Sequence, residues 1–108
     1  MMQIEITIDG KKKTFVTEQV TMLARRKFLE IQASEEAILE ERGTIPTNEV
    51  IKHENEMINI LANIVFKGQF TSDELMAGVT DEYFNRKLTE AVFGIKKEDD
   101  EGNEKGKQ

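Results

Sequence analysis

Cysteine and tryptophan are both absent from the 108-residue chain, which has one proline, one histidine and one tyrosine. Without cysteine there is no disulfide, no thiolate zinc site and no cysteine nucleophile. The lone histidine, His53, has no Cys or His co-ligand to share a metal and no nearby serine nucleophile is expected, so it reads as a structural or surface residue. Long apolar runs are missing too. Nothing approaches the ~20 residues that a membrane-spanning helix requires. The opening MMQIEITIDGKKK alternates in polarity where a signal peptide would carry an apolar run. The chain is expected to stay soluble in the compartment where it is made. Positive charge is also in deficit: 15 Lys and Arg stand against 21 Asp and Glu, giving a net charge of −6. That balance argues against nucleic acid as a partner, because binding there rests on cations neutralising phosphates. It argues equally against an anionic membrane surface.

Motifs of chemistry are missing as well. The seven glycines stand singly, and no GxxxxGK[ST], GxSxG or HExxH pattern occurs. Glu35 and Glu36 are adjacent on a helix and point apart, so they cannot flank one bond. Asp99, Asp100 and Glu101 lack the spacing of a calcium loop. No catalytic, cofactor-binding or metal-binding residues are expected, and a non-enzyme is the consistent reading.

What is present is a small, highly charged chain, 38% hydrophobic and 33% charged. A domain of this size hides only about 60–65% of its unfolded surface. Its core is thin, and self-association or a partner could supply burial. The pattern predicts an α+β fold, mainly α, over residues 1–95: an N-terminal hairpin packed on a bundle of three to four helices. Met2 to Ile8 alternates, with Ile4, Ile6 and Ile8 on one face. Asp9-Gly10 supplies the positive-φ pair of a tight turn, and the chain returns to residue 16 with Phe15 and Val16 as apolar partners. Lys11 to Lys13 read as solvated edge protection. The isoleucine face must lie on helices, since a lone hairpin is barely stable.

Helices are expected at about 21–42, 48–67, 72–77 and 81–93. In the first, Ala24, Phe28, Ile31 and Ile38 share a stripe. Met22 and Leu29 lie roughly opposite, as either a second core contact or a partner surface. Glu35, Glu36, Glu40 and Glu41 form an acidic, solvated face. Gly43 closes this helix, and Thr47 or Asn48 is placed to cap the next. That second helix carries a stripe of Val50, Met57, Leu61 and Ile64, widened by Ile58, Ile60 and Val65. Gly68 ends it. Thr71 with Glu74 forms a capping box, with Phe70 set to staple onto Leu75. Thr80 caps a last helix whose Phe84, Leu88, Ala91 and Val92 share a face. Residues 96–108, KKEDDEGNEKGKQ, have the composition of a disordered, charged tail.

The order of these signals is familiar. An I-x-I-x-I-D-G-K hairpin (Ile4 to Lys11) leads to Arg25-Arg26-Lys27-Phe28-Leu29-Glu30-Ile31-Gln32. An acidic segment follows, then an apolar helix running through Val65-Phe66-Lys67-Gly68-Gln69-Phe70-Thr71-Ser72-Asp73-Glu74-Leu75, and a final helix ending Ala91-Val92-Phe93-Gly94. Together, over about Gln3 to Gly94, they resemble the tail assembly chaperones of siphophages and prophages of Gram-positive bacteria. The resemblance implies a non-catalytic protein that coats the tape measure protein, keeps it soluble and helps recruit the major tail tube protein. It implies work in the cytoplasm of the bacterial host and absence from the mature virion. It also implies self-association and a longer, frameshifted form of the same chain as a partner. Exposed apolar patches on a charged body suit such a role, and methionines adapt to varied partners. The contact candidates are Met22, Leu29, Phe70, Met76 and Tyr83. The alternative is an acidic mimic of nucleic acid that blocks a host DNA-binding enzyme, motivated by the net charge and the Glu35–Glu41 cluster.

Overall fold

The computed structural model describes residues 1–94; the tail expected at 96–108 lies outside the described residues. Two antiparallel strands, β1 (Met2–Ile8) and β2 (Lys11–Thr17), are followed by α1 (Met22–Arg42), α2 (Thr47–Asn59), a π-helical turn (Ile60–Val65), α3 (Ser72–Gly78) and α4 (Asp81–Phe93). The α+β, mainly α reading holds, with a hairpin and four α-helices.

The hairpin forms as its sequence dictates. Asp9 and Gly10 take φ of 54° and 76°, the left-handed pair that matches the strand twist. The register sets Ile4 opposite Phe15 and Ile6 opposite Lys13. Ile4 and Ile6 are fully buried and Phe15 half-buried. Val16, expected as an apolar partner, instead points outward and is exposed, because it alternates with Phe15 across the pleat. Lys13 shares the inner face yet stays exposed. Lysine projecting from that face discourages a foreign strand from pairing there.

Helix α3 lies against β1, and Gly78 makes that approach possible. A Cβ at this position would stand 2.5 Å from Ile6 Cγ2 and 2.5 Å from the Thr7 carbonyl oxygen. Its role is close packing as much as helix termination. The capping box of α3 is present in full: the Thr71 N–H donates to Glu74 Oε1 at 2.9 Å, and the Glu74 N–H donates to Thr71 Oγ1 at 3.0 Å. Thr80 Oγ1 accepts the Tyr83 N–H at 3.1 Å to start α4. Phe84, Leu88, Ala91 and Val92 are all buried.

The second long helix departs from expectation in three ways. It is not one α-helix over 48–67: the α-helical ladder ends at Asn59 and a π turn follows. The Phe66 N–H donates to the Leu61 carbonyl at 3.0 Å, an i→i−5 bond that holds one extra residue in the turn. Of the predicted stripe only Val50 departs, at 47% exposure: Ile58, Ile60, Leu61 and Val65 are buried, Met57 and Ile64 are half-buried against the core, and His53, Ala62 and Phe66 join them inside. Neither Thr47 nor Asn48 caps the helix; Thr47 is its first residue and Pro46 stands at the cap position without a side-chain bond. Proline suits the start of a helix because no N–H is needed there.

Aromatic contacts tie the layers together. Phe70 packs on Phe15 of β2 at 5.0 Å between ring centroids and on Phe66 at 5.4 Å. Gln69 Nε2 donates to the Val16 carbonyl at 2.8 Å, and the Glu5 N–H donates to the Tyr83 hydroxyl at 3.0 Å. Each strand is thereby bonded to the helical layer.

Gly78→Ala is expected to destabilise the fold by about 1–3 kcal/mol, because the methyl meets backbone that cannot yield. Leu75→Ala, at a fully buried position, should cost about 2–5 kcal/mol. Urea unfolding followed by circular dichroism measures both.

Candidate functional site

Two surfaces combine exposed apolar groups with charge of one sign. The first runs along the N-terminal half of α1 and comprises Met22, Leu23, Arg25, Arg26 and Leu29. Met22 is 87% and Leu29 40% exposed. The inward stripe of α1 has Ala24 and Ile31 buried and Phe28 and Ile38 half-buried, and this opposite side is exposed among the described residues. Met22 and Leu29 are thus not a second core contact. Phe28 meets Phe93 of α4 edge-on at 5.6 Å.

The second is a groove of about 290 Å³ between α2, α3 and α4. Val50, Met57, Met76 and Phe84 contribute its apolar lining, and Glu35, Glu54 and Asp81 its charge; no Lys or Arg lines it. Met76 is 52% exposed. It projects from the exposed side of the short helix whose Leu75 is fully buried, so the Thr71–Glu74 cap and Gly78 fix where it stands. Val50, Glu54 and Met76 went unnoticed as a unit in the sequence. Helical periodicity alone placed Val50 inside.

Of the five contact candidates, Met22 and Leu29 share the α1 surface and Met76 lies in the groove. Phe70 is corrected: at 3% exposure it is interior, sandwiched between Phe15 and Phe66. Tyr83 is half-buried, and its hydroxyl is engaged with Glu5. Arg86 and Lys87 lie 5.5 and 5.7 Å from its ring centroid, a cation–π arrangement. Its contacts are within the chain.

A third cavity, of about 280 Å³, lies between α1 and α2 beside the π turn. His53, 2% exposed, sits there with Nδ1 3.2 Å from Glu35 Oε2. A carboxylate only accepts, so Nδ1 carries the proton. The expectation that no serine stands near His53 is corrected, since Ser34 lines the same cavity. Among the described residues no hydrogen bond joins Ser34 to His53, so the relay of a nucleophile is not assembled. Among them, too, no group of three or more His, Asp or Glu is placed to hold a metal ion, and no helix is long and apolar enough to cross a membrane.

Comparison with known families adds to this geometry. A family model described as phage tail chaperone protein matches residues 1–108. The chain belongs to the phage tail chaperone family. No curated protein and no solved structure matches it. Membership places this tail chaperone in phage tail assembly with protein partners. The reading as an acidic nucleic-acid mimic has no structural observation of its own beside that. In the tail chaperone, the resemblance noted from the hairpin to Gly94 corresponds to a family-wide match.

Met22→Ser, on the α1 surface, is expected to change stability by less than about 0.5 kcal/mol, as surface substitutions do. Tyr83→Phe should cost about 0.5–1.5 kcal/mol through the lost bond to Glu5, with faster hydrogen exchange at the Glu5 amide. Denaturant titration and amide exchange separate the two cases.

Proposed function

We propose that this tail chaperone binds the tape measure protein of its phage, keeps it soluble and extended, and helps recruit the major tail tube protein around it. It acts without catalysis in the cytoplasm of the bacterial host and leaves before the virion is complete. A longer, frameshifted form of the chain joins it on the same client. The observation that carries this reading is the exposed apolar surface of a family member: Met22, Leu29 and Met76 stand open to solvent on a body of net charge −6. Such a protein can cover a client's apolar segments while its charged remainder keeps the complex in solution. Methionine suits a client of varied sequence because its unbranched chain repacks at small cost.

Co-expression with the tape measure protein tests it. The chaperone should raise the soluble fraction of the client and be captured with it. Met22→Ser together with Met76→Ser should reduce capture at least about tenfold, the equivalent of two exposed apolar contacts, while the far-ultraviolet spectrum stays unchanged. Absence of both capture and solubilisation by the intact chain would overturn the reading.

A further inference from the structure

The groove between α2, α3 and α4 joins an apolar lining to charge of one sign. Three carboxylates from three helices line it: Glu35 of α1, Glu54 of α2 and Asp81 of α4. Among the described residues no Lys or Arg pairs with any of them. Glu35 is moreover fixed in place. Buried His53 donates from Nδ1 to its Oε2 at 3.2 Å, and among the described residues its Oε1 has no partner. An acceptor already oriented loses little freedom when a cation meets it. Apart from the short join at Val79 and Thr80, the walls are helical, and helices bond their backbone groups within themselves. An occupant therefore finds side chains only and must satisfy its own N–H and C=O groups, which a helix does. Val50, Glu54 and Met57 follow one another along the groove at i, i+4 and i+7, roughly 10 Å or about two helical turns.

We propose that the groove is a docking site for a basic amphipathic helix, whose apolar stripe packs on Met57, Met76 and Phe84 and whose flanking Lys or Arg residues meet Glu35, Glu54 and Asp81. The apolar lining supplies the attraction and the carboxylates supply the choice. An acidic helix of the same apolar pattern brings like charge against all three and is rejected, and a neutral one leaves them without partners. Met76 and Met57 let the groove accept apolar residues of different shape at small cost, so the site selects by charge and spacing more than by exact sequence. On the client reading, the segments that the groove takes from the client are its basic amphipathic helices; the docking itself stands apart from that reading.

The test titrates the purified full chain into labelled synthetic peptides, followed by fluorescence anisotropy. The probe is a peptide of Leu and Lys with its leucines on one helical face. It is expected to bind, more weakly at high salt because part of the attraction is between exposed charges. Two controls, one with Glu in place of each Lys and one with the same composition scrambled off the helical period, should bind at least about tenfold more weakly. Glu54→Lys should weaken the basic peptide at least about tenfold and strengthen the acidic one, whereas Arg26→Glu, outside the groove, should leave both unchanged. Both residues are exposed, so the variants keep the wild-type circular dichroism. His53 is the only histidine, and its imidazole resonances should move when the basic peptide seats a cation on Glu35. An acidic or scrambled peptide that binds as tightly, a Glu54→Lys variant that binds as the wild type does, or His53 resonances that stay in place at saturation would each overturn the proposal. Self-association that the basic peptide fails to disperse would assign the groove to another copy and overturn it too. Client capture is measured separately, so its failure leaves this result standing.

Discussion

A two-stranded hairpin cannot keep its own apolar face dry, and the architecture of this chain follows from covering it. Ile4 and Ile6 of β1 are fully buried only because α3 comes close enough for Gly78 to touch the strand. The aromatic sequence Phe15, Phe70, Phe66 extends the contact from β2 to the end of the π turn. Gln69 and Tyr83 then bond the two strands to the helical layer from different elements. Remove the close approach at Gly78 and the isoleucine face, the capped turn and the placement of Met76 all lose their support.

Where local chemistry decides structure, the residues announced it. Asp9-Gly10, the Thr71–Glu74 box, Thr80, Gly43 and the α4 face are each short-range arrangements with one low-energy solution. The apolar side of α1 was legible from its period. In the second long helix the apolar period was legible too, since Ile58, Leu61, Ala62 and Val65 are buried at i, i+3, i+4 and i+7; the π turn was not, because its i→i−5 bond leaves no mark on that period. Val50, expected inside, is exposed. Phe70 was misjudged as a contact because an aromatic beside a glycine looks the same in sequence whether it faces out or in.

The functional surfaces share a physical logic. Each is held by a rigid element whose opposite side is packed, so exposed apolar groups keep fixed positions instead of collapsing onto the chain itself. Net negative charge keeps the molecules apart in bulk.

The π turn carries a consequence for how such a chain can change over generations. By inserting one residue into the helical repeat, it takes up a change of length within the helix while Ile58, Leu61, Ala62 and Val65 keep their places in the core. Val50 and Glu54, exposed on α2 ahead of it, are free to vary while the interior stays as it is.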